Sequence, residues 1–305
     1  MNTRAFRSDI LLFITAAIWG LAFVAQRVGM DHVGPLTYNG VRFALGALAL
    51  VPLVMRMEKG RTTTAIAAGA DKKRLAIGGG LLGLALFCGA TLQQMGLAEP
   101  QLAAMGFAAS TAGKAGFITG LYVVFVPIFG LLLAQRTGWG TWVGAGFAVI
   151  GMYLLSVTTD MTISFGDALV LVSALFWAGH VLLIGKLSPG MDAVDAVKLS
   201  TVQFAICAVL SLIGAVATEE ITLVGLQGAA LPIAYGGIMS VGIAYTLQVV
   251  AQRDAKPAHA AIILSLEAVF AAIGGWMLLG EVLTVRALIG CGLMLAGMLL
   301  SQLKP

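Results

Sequence analysis

The sequence predicts an all-α integral membrane protein of about ten transmembrane helices, arranged as two inverted five-helix repeats. Three observations predict it. Hydrophobic residues make up 59% of the 305 and charged residues only 10%, with a mean hydropathy of +0.98. A soluble domain carries roughly a quarter charged residues, so the outer face of this chain has to meet lipid. Ten apolar stretches approach the ~20 residues that cross a bilayer, and short patterns in the first half recur in the same order in the second. The spans must be helices, because lipid offers backbone amides no partner and nothing alternates with the period of two of a membrane barrel.

Span one, Asp9–Val28, follows Arg4 and Arg7 as a secretory signal would. It continues past Val24 without a small-residue cleavage site, so it reads as an uncleaved signal-anchor. Its Ala16-Ala17-Ile18-Trp19-Gly20 is answered in span six, Gly166–Leu187, by Ala174-Leu175-Phe176-Trp177-Ala178. Span two, Leu36–Met55, carries Val41-Arg42-Phe43-Ala44, answered in span seven, Asp195–Ala217, by Val202-Gln203-Phe204-Ala205. Span three, Leu75–Met95, carries Thr91-Leu92-Gln93, answered in span eight, Ala229–Val250, by Thr246-Leu247-Gln248. Span four is Gly113–Leu133 and span nine Ala258–Leu279. Span five, Trp139–Val157, is preceded by Leu133-Ala134-Gln135 and carries Gly144 and Gly151. Span ten, Leu283–Leu303, is preceded by Leu279-Gly280-Glu281 and carries Gly290 and Gly297. The repeats therefore run over 9–157 and 166–303. Five spans per repeat is an odd number, so the second copy enters from the opposite side, an architecture of secondary transporters.

Lys and Arg give the orientation. With the N-terminus inside, 14 of the 18 basic residues fall in or beside inner segments, while Glu99, Asp160, Glu219, Glu220 and little basic besides Arg286 lie outside. Both termini are expected in the cytoplasm of a cell bounded by this inner (plasma) membrane. The basic stretch Arg56–Arg74 is either a topology anchor touching anionic lipid or a regulatory site. The net charge of +4 thus reports sidedness and not nucleic-acid binding. Cys88, Cys207 and Cys291 sit singly in apolar runs and read as packing residues, with no disulfide framework or zinc spacing. Gly78-Gly79-Gly80-Leu81-Leu82-Gly83 formally matches a dinucleotide fingerprint, but it lies inside an apolar span with no preceding strand.

The chain resembles the EamA family of the drug/metabolite transporter superfamily along nearly its whole length. The resemblance rests on Trp19-Gly20, on Lys114-Ala115-Gly116-Phe117-Ile118-Thr119-Gly120-Leu121-Tyr122-Val123-Val124-Phe125-Val126-Pro127, and on Ser265-Leu266-Glu267-Ala268-Val269-Phe270 followed by Leu279-Gly280-Glu281. It implies ten helices, a central cavity open to one side at a time, and export of amino acids or other small metabolites. Two departures stand out: Ala268 follows the span-nine Glu where the family often has Pro, and Ala98–Ala109 is longer than the usual connection.

Ionisable groups deep in a span are costly and mark function by default. Arg42, about two turns into span two, either forks onto a substrate carboxylate or clamps span-end carbonyls or an acidic partner. His180 shares a helix face with Ser173, Phe176 and Trp177, and is either a neutral hydrogen-bonding group or a substrate contact or proton relay. Glu267, about two and a half turns into span nine, either couples transport to protons or pins span nine to a neighbour. A carboxyl taken out of water holds its proton more readily, which suits the first role. Lys114 is expected near the outer mouth, snorkelling or attracting substrate. Gln93, Gln203 and Gln248, with Gln94 and Gln26, are either interhelical glue or cavity amides beside Trp19, Phe23, Tyr122, Trp177 and Tyr245. Gly116-xxx-Gly120 and Gly140-xxx-Gly144 fit close helix packing, and Glu281 and Arg286 are placed to pair at the last outer turn.

The functional expectation is a secondary transporter, an exporter of small metabolites working by alternating access and open to proton coupling. The alternatives are an importer or a membrane-embedded lipid-modifying enzyme, although no cluster of nucleophile, acid and base is visible. No catalytic residue, metal or cofactor is expected, and without a Walker A lysine motif no ATP hydrolysis. The expected partners are a small-molecule substrate and the bilayer, with the chain acting as a monomer.

Overall fold

The computed structural model describes residues 3–60, 72–110, 112–134, 137–156, 163–279 and 284–303. Eight helical stretches are long and apolar enough to cross a membrane, and two shorter apolar helices, Trp139–Leu154 and Val285–Ser301, occupy the positions of spans five and ten. Among the described residues the chain is helical with no strand. Polar side chains such as Thr15, Gln26, Arg42, His180 and Glu267 are buried, whereas Leu48, Leu84, Ile150, Val216 and Leu299 are exposed. That is the inside-out distribution of a protein solvated by lipid.

Span one is Thr3–Gly29, span two Pro35–Lys59 and span three Lys72–Leu97. Proline at the start of span two suits a first turn that has no intrahelical acceptor to satisfy. The remaining amides there are met from afar. Glu219, at the end of span seven, accepts from Leu36 N and Thr37 N at 2.8 Å and from Thr37 Oγ1 at 2.7 Å. Its carboxylate occupies the space a β-carbon on Gly34 would need, so a side chain there would displace the cap. Between spans three and four, the connection seen in the sequence as long forms the short helix Glu99–Ala104 and then an extended segment. That segment bonds back through Ser110 N to Gly96 O at 2.8 Å, and Gly166 N bonds to Ala108 O at 3.1 Å.

Spans five to seven are Trp139–Ser156, Phe165–Leu187 and Ala193–Thr218. Span six starts with a capping box between Ser164 and Asp167, and Asp192 caps span seven. Three spans depart from a plain α-helix. Span four is two helices, Ala112–Gly120 and Tyr122–Leu132. Span nine is likewise two, Pro257–Leu264 and Glu267–Leu279. Span eight is Ala230–Ala234, an eleven-residue π-helix Tyr235–Tyr245, and Thr246–Ala251. Span ten is Val285–Leu303.

The packing follows a two-fold exchange of the halves. Span one packs on spans eight and nine, and span six, its counterpart, on spans three and four. Span three packs on span seven as span eight packs on span two, while spans two and seven, and five and ten, pair with each other. Glycine makes the last contact possible. A β-carbon on Gly144 would lie 2.7 Å from Gly297 O and one on Gly297 2.7 Å from Gly144 O, while one on Gly151 would lie 2.5 Å from Gly290 O. Backbone therefore meets backbone at both crossings, as small residues allow in lipid. Of the other expected packing glycines, Gly120 abuts Met152 Sδ, but Gly116 has nothing nearer than 3.6 Å. Gly116 is therefore not a close-packing site.

Candidate functional site

A narrow internal cavity of about 40 Å³ lies where spans one, two, three, four, six, eight and nine converge. Trp19, Arg42, Gln93, Tyr122, Trp177, His180, Tyr245, Gln248 and Glu267 all line it, joined by Phe23, Gln26, Thr119 and Ser240. Gln203 does not. It stands behind the wall, fully buried, and accepts a 2.8 Å hydrogen bond from His180 Nε2. Phe176 also departs from the expected face: it is 36% exposed while Ser173, Trp177 and His180 are buried. One side of span six faces the cavity and Phe176 faces outward.

The two broken spans place Tyr122 and Glu267. Leu121 N bonds to Ile118 O at 3.2 Å and Val124 N to Leu121 O at 2.9 Å. In span nine, Leu266 N bonds to Ile263 O at 3.1 Å and Val269 N to Leu266 O at 2.9 Å. These are the tight i to i−3 bonds of a 3₁₀ turn, and they fall at equivalent positions in the two repeats. Each break is followed at once by a polar residue, Tyr122 in one copy and Glu267 in the other. The two side chains are neighbours across the cavity. Their contact falls outside ordinary hydrogen-bond geometry, and neither the Tyr122 hydroxyl nor Glu267 Oε1 has another partner. A carboxyl held in this way can gain, lose or share a proton without dismantling a network.

On the first-repeat side of the cavity the Gln93 amide is bonded through both its nitrogen and its oxygen. Gln93 donates to Gln26 Oε1 at 3.0 Å, and its Oε1 accepts from Trp177 Nε1 at 2.9 Å and Thr119 Oγ1 at 3.4 Å. Gln94 adds a bond to Gln26 O at 3.3 Å. On the other side, Trp19 Nε1 reaches Ser240 O of the π-helix at 3.2 Å, and Gln248 Oε1 is left without a partner. Thr15 Oγ1 also donates to Ala244 O at 3.2 Å and Tyr38 to Pro232 O at 3.1 Å. Carbonyls of span eight thus become acceptors for side chains of spans one and two.

Arg42 is 3% exposed, and its Nε donates to Asn39 Oδ1 at 3.0 Å. The guanidinium carbon lies 4.9 Å from the Phe43 ring centroid and 5.3 Å from that of Tyr38, within cation–π range. No ion pair to a carboxylate is formed by Arg42 among the described residues. Tyr245, at the end of the π-helix, is the hub of an aromatic cluster, 4.5 Å from Trp19, 6.1 Å from Trp177 and 5.9 Å from Phe204 between centroids. The arrangement joins a buried cation, a buried carboxyl and flat apolar walls. The cavity in this form has room for water-sized groups, and among the described residues no group of three metal-ligating side chains exists.

Other sequence candidates fall outside this cavity. Lys114 pairs with Asp167 at 3.5 Å. Arg286 lies 5.3 Å over the Tyr153 ring, while Glu281, its expected partner, lies outside the described residues. So do Asp160, Gln135, Gly280 and most of Arg56–Arg74. Sequence reasoning missed the two helix breaks, the π-helix, the Glu219 cap and the ion pairs of Asp9 and Asp167. The last could have been found by extending the Trp19/Trp177 register ten residues back, where Asp9 answers Asp167.

The profile of the EamA-like transporter family matches the chain twice, over residues 6–157 and 164–303. An "uncharacterized transporter" of Archaeoglobus fulgidus is 29% identical over 97% of this chain and 86% of its own length. The "uncharacterized transporter YoaV" of Bacillus subtilis is 22% identical, covering 93% and 92%. The "uncharacterized inner membrane transporter YedA" of Escherichia coli is 26% identical, covering 90% and 83%. A solved crystal structure superimposes with a TM-score of 0.73 at 16% identity, covering 97% of this chain and 96% of that one.

Proposed function

The chain belongs to the EamA-like transporter family, and from that premise we propose that it is a secondary carrier that exports small metabolites across the plasma membrane by alternating access. The substrates are amino acids or comparable amphipathic compounds, and both termini lie in the cytoplasm. Arg42 receives an anionic group of the solute, the Trp19, Trp177 and Tyr245 rings cover its apolar body, and Glu267 carries the coupling proton. The carrier works as a monomer and without ATP, since one chain already contains both halves. It is a carrier and not an enzyme.

The observation that supports this most is the cavity itself. Its walls come from both repeats, and its bare polar atoms are concentrated at the Tyr122–Glu267 contact and at Gln248. Unpaired buried polar atoms cost about 1–3 kcal/mol each, a cost that a solute or water entering the cavity would relieve. The test starts from metabolites that differ between cells with and without the protein. Each is then offered to proteoliposomes with and without an imposed proton gradient. Flux that responds to the gradient and falls in Arg42→Ala and Glu267→Gln supports the proposal, and unaltered flux in both variants removes those residues from the mechanism.

A further inference from the structure

Two charged contacts lie outside the cavity, and the repeat relates them. Asp9 stands ten residues before Trp19, and Asp167 ten before Trp177. His259 stands eight residues before Glu267, and Lys114 eight before Tyr122. Asp9 Oδ1 is 2.8 Å from His259 Nε2, and Asp167 Oδ2 is 3.5 Å from Lys114 Nζ. The two contacts are thus copies of one another, although neither cation is repeated as the same residue.

Their positions are complementary. Asp9 and His259 begin spans one and nine, whereas Lys114 and Asp167 begin spans four and six. Odd spans start at one end of the bundle and even spans at the other, so the pairs lie at opposite ends. Each pair joins a span of the first repeat to a span of the second, and the same spans carry the cavity residues Glu267 and Tyr122 roughly 12 Å further along, at ~1.5 Å per residue. The His259 ring is held on both sides. Ser301 Oγ donates to Met298 O at 2.7 Å, which leaves that oxygen as an acceptor 3.1 Å from His259 Nδ1. Each ring nitrogen thus has a partner, Ser301 on one side and Asp9 on the other. Asp167 Oδ2 also accepts from Ser164 N at 2.9 Å, which fixes the carboxylate at the start of its helix.

An ion pair between packed helices is weak evidence for stability, because desolvation offsets much of the attraction. It is well suited to a contact that must separate when water enters. We propose that the Asp9–His259 and Lys114–Asp167 pairs are the two latches of the carrier, one at each mouth of the cavity, released alternately. Both pairs are formed in this structure. The inference rests on the carrier reading, but its test does not require a known substrate.

The test uses the full-length chain with Cys88, Cys207 and Cys291 replaced and one reporter, Ala22→Cys, in the cavity wall. A membrane-impermeant thiol reagent is applied to vesicles of each orientation. Asp167→Asn is expected to speed modification about tenfold from one face only, and Asp9→Asn by about the same factor from the opposite face only. Lys114→Arg should stay close to the parent, and Lys114→Met, which leaves the Ser164–Asp167 cap intact, should match Asp167→Asn, which separates latch loss from loss of the cap. If both Asn variants act from the same face, or neither changes the rate in protein that inserts normally, the latch proposal is overturned. Side-specific labelling with no gradient-driven flux of any metabolite would uphold the latches and sink the carrier reading; flux without side-specific labelling would do the reverse.

Discussion

Spans three and eight occupy equivalent positions in the two repeats, yet they are built differently. Span three is one uninterrupted α-helix, and Gln93 in it is bonded to Gln26, Trp177 and Thr119. Span eight passes through eleven residues of π-helix, and its Gln248 Oε1 has no partner. The wider π turn changes where backbone carbonyls point, so Trp19 finds Ser240 O where its counterpart Trp177 finds a glutamine side chain. Duplicate sequences have thus produced one corner whose cavity glutamine has its oxygen bonded and one whose cavity glutamine keeps an open acceptor. The closed corner reads as framework and the open one as binding surface; π-helical segments are frequent at such sites.

The sharpest way to break this comparison is at the two helix breaks. Glu267→Gln is expected to lower gradient-driven flux by about 100-fold, and Tyr122→Phe, its counterpart, by only a few-fold, because a phenol at this position shapes the acid's surroundings while the acid carries the proton. Equal losses in proteoliposome assays would erase the distinction. Next come the paired glutamines. Gln248→Leu should reduce flux about tenfold and leave thermal stability in detergent unchanged. Gln93→Leu should instead lower stability by about 1–3 kcal/mol, since it strands Trp177 Nε1 and Gln26. If the two variants behave alike, the difference between the corners is only geometric.

A smaller effect separates seam from cavity. Gly144→Ala should destabilise by about 1–3 kcal/mol through overpacking against Gly297, whereas Gly179→Ala, in open space, should be near neutral; a thermal-shift series reads both. Smallest is Glu219→Gln, which removes the charge of the remote cap on span two and turns an amide NH2 toward one of its donors, at a cost of about 0.5–2 kcal/mol.

Much of this architecture is legible before any coordinates. Apolar runs of membrane length locate ten spans to within a few residues, because lipid leaves the backbone no alternative to helix. The echoes Trp19/Trp177 and Gln93/Gln248 mark cavity-facing turns, because polar and aromatic groups tolerated in lipid must turn inward. What escapes is whatever depends on how helices meet. The breaks after Gly120 and Leu264 follow no proline, and Ser265-Leu266 has no strong helix breaker at all. Gly236, Gly237 and Gly242 permit the π-helix without announcing it. For Gln203 the sequence leaves interhelical glue and cavity amide both open, and an amide in place of its long counterpart Arg42 retracts to His180. Asp9 and Asp167 sit at span ends, where a lone acid reads as a cap until its partner 250 or 53 residues away is known.

The glycine seam between spans five and ten sets different rules for the two copies in different places. At Gly144, Gly151 and Gly297 the partner's backbone fills the volume of any side chain, so neither copy can drift there without the other giving way. Away from that seam the copies differ, with Arg42 matched by Gln203, Tyr122 by Glu267 and Lys114 by His259 across the two-fold exchange. The molecule therefore keeps its ancestral symmetry at its rim, where both copies are bound to identity, and spends its freedom to diverge at the centre.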